Sequence, residues 1–121
     1  RDAAMYKGSK SEEARSFYND GYNYTKNSDF KNAIIAYRKA IDADKRYVEA
    51  YDNIAVCFRR LNMLDSAEVY YLKSIELYPQ GTMAHQNLGM VYRLKQQPEK
   101  ALEEYKILKR LMPESAEGSY G

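Results

Sequence analysis

Apolar and aromatic positions along the chain recur at steps of three and four rather than two, a pattern that predicts helices from end to end. The first run holds Phe17, Tyr18, Gly21, Tyr22 and Tyr24. It reads as a helix from Ser11 or Glu12 to about Lys26, with Ser11 as its cap and Glu12 and Glu13 in its first turn. Asn27, Ser28 and Asp29 break that helix and cap a second one carrying Ala33, Ala36, Tyr37, Ala40 and Ile41. A second pair is expected from about Val48 to Leu61 and from about Asp65 to Tyr78, where Pro79 stops it. The third runs from about Thr82 to Lys95 and from Glu99 to Leu111, with Pro98 at a helix start and Pro113 closing the array. Ahead of all this, Arg1 to Ser11 is polar and reads as a linker or turn around Gly8, Ser9 and Lys10. Ala3, Ala4 and Tyr6 give only a weak sign of a preceding helix.

The three pairs are copies of one another. Asn19, Asn53 and Asn87 lie 34 residues apart, as do Gly21, Ala55 and Gly89, and the aromatic set Tyr24, Phe58 and Tyr92. The partner helices share the step through Ala33, Ala67 and Ala101, then Tyr37, Tyr71 and Tyr105. Registers that coincide at one period are the mark of a stacked supersecondary unit. Small residues let the two helices of a pair approach while the rings fill the crossing.

The residues in these registers resemble the tetratricopeptide repeat, whose order is aromatic, Leu, Gly, aromatic, then Ala, aromatic and Pro. The third copy fits through His85, Leu88, Gly89, Tyr92, Ala101, Tyr105 and Pro113, the second through Tyr51, Ile54, Ala55, Phe58, Ala67, Tyr71, Ser74 and Pro79. The first fits through Phe17, Gly21, Tyr24, Ala33, Tyr37 and Ala40, with Asp20 in place of Leu and Lys45 in place of Pro. The match covers Ala14 to Ser115. It divides the chain into an extension at residues 1–13, repeats at 14–47, 48–81 and 82–115, and a tail at 116–121. The resemblance implies an all-α fold: three antiparallel helix pairs in a right-handed superhelix, an α-solenoid. It also implies a non-catalytic module that binds other proteins.

Composition narrows this further. Nineteen basic and seventeen acidic residues leave a net charge of +2, too little to imply nucleic acid or a membrane surface, and we expect neither. Thirteen Tyr and no Trp suit helix crossings filled by rings with a polar tip. A single Cys excludes an intrachain disulfide. No run has the length of a membrane span. A first residue other than Met leads us to expect a segment of a longer protein.

Candidate chemistry lies on one face of each leading helix. By resemblance, the faces lining the concave groove carry Arg15, Tyr18, Asn19, Tyr22 and Lys26; Glu49, Asp52, Asn53, Val56, Arg59 and Arg60; and Met83, Gln86, Asn87, Met90 and Arg93. A primary amide offers a donor and an acceptor together, so the Asn series suits the backbone of an extended peptide. The alternative is that each Asn serves local helix contacts. Tyr18, Tyr22, Val56, Met83 and Met90 would receive apolar side chains. Lys26, Arg59, Arg60 and Arg93 gather at the far end and suit an acidic group, or form an ordinary solvated face. One subclass of the family grips acidic chaperone tails with Lys, Asn, Asn, Lys and Arg. Those places here hold Tyr18, Tyr22, Asn53, Met83 and Asn87, and only Asn53 matches, so that assignment is rejected.

An enzyme is not expected. Cys57 aligns with Val91 and reads as a small buried side chain, and His85 aligns with Phe17 and Tyr51, where a flat ring packs. No spacing of Cys, His or carboxylates suits a metal, no Gly-rich loop suits a phosphate, and no cofactor is expected. Asp20 and Lys109 give the two ends polar faces, while Leu102, Leu108 and Leu111 leave the last helix without a cap. The partner expected is a protein or peptide; the alternative is a structural assembly scaffold that self-associates through that last helix or stacks on further repeats of a longer parent protein.

Overall fold

The computed structural model describes residues 7–112. Among the described residues are six helices and no strand: α1 (Glu12–Lys26), α2 (Phe30–Ala43), α3 (Val48–Arg60), α4 (Leu64–Leu77), α5 (Thr82–Leu94) and α6 (Pro98–Leu111). Each helix packs on the next, within pairs α1–α2, α3–α4 and α5–α6 and between pairs through α2–α3 and α4–α5. The result is an all-α helical-repeat solenoid. Helix ends fall within a residue of those the sequence predicts. Pro113, the tail at 116–121 and Ala3, Ala4 and Tyr6 lie outside the described residues.

The caps follow from side-chain chemistry. The Ser11 hydroxyl accepts the Ala14 N–H at 3.0 Å, and Asp29 Oδ1 accepts the Asn32 N–H at 3.3 Å. The turns inside the repeats follow a rule that the sequence hides. Ser28, Asn62 and Gln96, again 34 apart, take positive φ of 59°, 60° and 61°. In each turn the following N–H reaches back to the carbonyl of the repeat aromatic: Asp29 to Tyr24 at 2.9 Å, Met63 to Phe58 at 2.8 Å, and Gln97 to Tyr92 at 2.8 Å. This is the helix-terminating bond pattern that ordinarily selects Gly at the left-handed position. No copy has one, so the sequence offers a break but not its geometry.

The core runs through all three pairs. Tyr37 and Tyr71 are wholly buried between the helices of their pairs, with Ile54, Leu88, Val48 and Val91. Two glycines sit directly under aromatic rings of the partner helices. A Cβ on Gly21 would lie 2.7 Å from the Tyr37 ring, and one on Gly89 would lie 2.7 Å from the Tyr105 ring. Burial thins toward the C-terminal end, where α6 buries Ala101 alone and leaves Leu102, Leu111 and Met112 exposed.

Candidate functional site

The leading helices α1, α3 and α5 lie side by side, and a cleft of about 270 Å³ opens where their facing side chains meet. Its walls are Tyr18 from α1, Glu49, Asp52, Asn53 and Val56 from α3, and Met83 and Asn87 from α5, together with Lys7. Seven candidate residues are therefore brought together: Tyr18, Glu49, Asp52, Asn53, Val56, Met83 and Asn87.

The cleft is ordered from one end. The Tyr18 ring stacks on Tyr47 at 5.1 Å and tilts against Tyr37 at 5.4 Å. Asn53 donates from Nδ2 to the Tyr18 hydroxyl at 2.7 Å, so this amide's donor ties α3 to α1. Burial, and the nearby Glu49 charge, push the Tyr18 phenol above its ordinary range; it stays a neutral O–H whose proton remains available to donate.

Asp52 is the least satisfied group in the cleft. Burial raises its carboxyl, and the Ser74 hydroxyl and the Lys7 ammonium offset that only in part. Its Oδ2 faces Lys7 Nζ at 3.6 Å, while its Oδ1 is buried without a hydrogen-bond partner.

Lys7 arrives there through a segment that the sequence reads as linker. Ser11 N–H donates to Ser9 Oγ, the Ser9 hydroxyl donates to Asp44 in the turn between pairs, and Arg15 Nη1 donates to the Ser9 carbonyl at 2.8 Å. Past this anchor the Lys7 carbonyl accepts the Glu49 N–H at 3.1 Å. That amide belongs to the first turn of α3, whose cap residue Tyr47 provides no side-chain acceptor. Sequence reasoning missed Lys7 because this cap comes from a backbone carbonyl over forty residues away, and no residue type signals it.

The remaining candidates lie outside the cleft. Asn19, Gln86 and Arg93 are exposed, and Met90 is half-buried. Tyr22 is 52% exposed, with Lys26 Nζ 5.8 Å from its ring. Arg60 lies over Phe30 at 4.8 Å. Arg59 turns toward Tyr71, lowering a phenol that burial pushes up to about 12, and its Nε is buried without a partner. Lys26, Arg59, Arg60 and Arg93 all fall in last turns, where the helix dipole favours cations.

A larger cleft, about 490 Å³, runs along the outer surface of α4 between Tyr51, Val69, Tyr70, Leu72, Lys73 and Glu76. It is apolar and contains no orphaned polar atom. Cys57 is fully buried, its Sγ 3.6 Å from Thr25 Oγ1, and burial raises its thiol. His85 differs from the flat packing ring that the sequence suggests. It is buried, with Nδ1 2.7 Å from Glu104 Oε1 and Nε2 2.8 Å from the Pro79 carbonyl, so it staples α5 to α6 and to the preceding turn. Among the described residues no three His, Cys, Asp or Glu side chains are grouped to hold a metal, and no helix is long and apolar enough to cross a membrane.

Models of the tetratricopeptide repeat match residues 12–47 and 48–80, and a further such model matches 70–103. The first tetratricopeptide-repeat domain of Spaghetti (RPAP3), solved bound to the HSP90 peptide SRMEEVD, superposes with a TM-score of 0.81 at 27% identity, over 86% of this chain and 82% of that one. The TPR2B domain of yeast Sti1, in its complex with pHsp70, gives 0.83 at 25% identity, over 90% and 87%. Human protein O-mannosyl-transferase TMTC3 is 23% identical over 95 residues, 78% of this chain. The chain spans a tenth or less of the curated relatives that it matches.

Proposed function

The chain belongs to the tetratricopeptide repeat family, and on that premise we propose that it is a non-catalytic protein-interaction module that holds an extended segment of a partner in the groove between α1, α3 and α5. The observation that carries this reading is the cleft itself. Three successive leading helices each contribute to it, and it combines apolar walls from Val56 and Met83 with amides from Asn53 and Asn87. Polar and apolar surface share this cleft about equally, which suits an extended segment that presents both backbone amides and side chains. The Spaghetti and Sti1 domains, which were solved with peptide or partner bound, support it.

The roles follow from the contacts. Asn87, and the Asn53 amide together with the Tyr18 hydroxyl that it holds, meet the partner's backbone; Val56 and Met83 receive apolar side chains. Tyr22, Met90, Asn19, Gln86 and the basic groups Lys26, Arg59, Arg60 and Arg93 extend the surface toward the far end. Few groups converge, and ordering an extended peptide is costly, so affinity is modest. The module carries no catalytic role. The match covers only a tenth of the transferase relative, and neither Cys57 nor His85 is exposed for chemistry.

The test compares partners captured from source-cell extract by the wild-type chain and by an Asn53→Ala, Asn87→Ala variant of unchanged helicity. A partner retained by the first and lost by the second supports groove recognition. Equal retention by both refutes it.

A second reading is favoured by one observation: α6 and the Met112 that follows it expose Leu102, Leu111 and Met112, and α6 half-buries Tyr105, Ile107 and Leu108. Such a face suits stacking on a second copy or on a further repeat. Sizing across a concentration series tests it, and a monomeric mass throughout rejects the second copy.

A further inference from the structure

Resting on the groove reading above, we infer that the partner segment carries a lysine or arginine next to apolar residues, and that the chain's own Lys7 occupies the place of that cation when no partner is bound. The groove end nearest the α3 N-terminus is acidic, with Glu49 and Asp52 on its wall. Asp52 keeps Oδ1 inside the fold, out of a ligand's reach, and offers the groove its Oδ2. The group already seated there is a cation. Lys7 Nζ stands 3.6 Å from Oδ2, beyond a close ion pair.

The chain's own segment also displays the backbone mode that a ligand would use. The Lys7 carbonyl accepts the Glu49 N–H in the first turn of α3, which lacks a side-chain cap, while the Lys7 side chain enters the cleft. An extended peptide repeating this places one carbonyl on the α3 amide and one cation between Glu49 and Asp52. Its next residues then lie over Val56 and Met83. An ammonium or guanidinium that closes to hydrogen-bond distance on Asp52 Oδ2 makes the tight ion pair that Lys7, at 3.6 Å, does not. An acidic peptide such as the SRMEEVD segment held by the Spaghetti domain meets like charge at this end.

The test pans a random octapeptide phage library against the full chain and against Asp52→Asn, Lys7→Gln and the Asn53→Ala, Asn87→Ala variant, each checked for unchanged helicity. The recovered sequences are synthesised with a fluorescent label, and with their basic residue changed to Gln or Glu, for anisotropy. The wild-type chain is expected to select Lys or Arg beside apolar residues. Changing that residue to Gln, or Asp52 to Asn, should each weaken binding about tenfold, the order of one charge-assisted bond. Lys7→Gln should tighten binding several-fold by removing the internal competitor. Selected peptides that lack a basic residue, a preference undiminished in Asp52→Asn, or no gain with Lys7→Gln each overturn the inference. If such peptides still depend on Asn53 and Asn87, the groove reading survives without it; if no recovered peptide depends on them, both fall.

Discussion

Gly21 and Gly89 occupy the same place in the first and third repeats, and replacing each by Ala separates packing from propensity. At both sites the new methyl lies 2.7 Å from a tyrosine ring, whereas carbon contacts settle at about 3.5–4.0 Å, so something must retreat by roughly 1 Å. What can retreat differs. At Gly21 the methyl meets the flank of the Tyr37 ring, with Cδ1 and Cε1 at 2.7 Å and Cγ at 2.9 Å. That ring is wholly buried, backed by Tyr18 at 5.4 Å and held through its hydroxyl 3.3 Å from Thr25 Oγ1. Only a separation of α1 from α2 relieves the overlap. At Gly89 the methyl meets the tip of Tyr105, Cε1 and Cζ, on a half-buried residue of the end helix that has room to swing outward. Overpacking a closed site costs about 1–3 kcal/mol, and Ala gains about 1 kcal/mol over Gly in a helix interior. Gly21→Ala is therefore expected to lower stability by up to about 2 kcal/mol, and Gly89→Ala to leave it within about 0.5 kcal/mol of wild type. Urea unfolding followed by far-ultraviolet circular dichroism reads both. Equal losses at the two sites, or a gain at Gly21, would refute the reasoning that ring freedom decides the sign.

Three further outcomes follow from the same contacts. His85→Phe restores the aromatic of the other repeats but strands Glu104 and the Pro79 carbonyl, so thermal unfolding should report a loss of about 2–4 kcal/mol, partly recovered by adding Glu104→Leu. Gln96→Gly relieves a left-handed position and should stabilise by about 0.5–1 kcal/mol, more than Asn62→Gly, since Asn tolerates that conformation; an equal gain at both would count against it. Burial raises the Asp52 carboxyl, so the folded state binds this proton more tightly than the unfolded chain does. Its contribution to stability therefore grows as pH falls through the raised value and levels off below 3.8. Asp52→Asn should then be more stable than wild type at neutral pH, by on the order of 1 kcal/mol, with the difference disappearing in acid; a difference independent of pH would refute this.

The sequence by itself determined the architecture. A period of 34 in Gly21, Ala55 and Gly89 and in the rings of Tyr37, Tyr71 and Tyr105 is enough to specify stacked helix pairs, because each pair buries its face only against the next. Caps such as Ser11 and Asp29 were legible for the same local reason: their partners lie three residues away. The cleft was legible in part. Register puts Tyr18, Glu49, Asp52, Asn53, Val56, Met83 and Asn87 on one side of their helices, and the resemblance to the tetratricopeptide repeat implies that those sides share a groove. Only the tertiary structure decided what those side chains do there. It joined Asn53 to Tyr18, turned Arg59 toward Tyr71, set His85 between Glu104 and Pro79, and brought Lys7 from a polar leader onto Asp52 and the first turn of α3. These contacts join residues distant along the chain, and their partners are single polar atoms rather than a periodic face. Periodicity records which side of a helix is buried; it does not record which buried donor meets which acceptor.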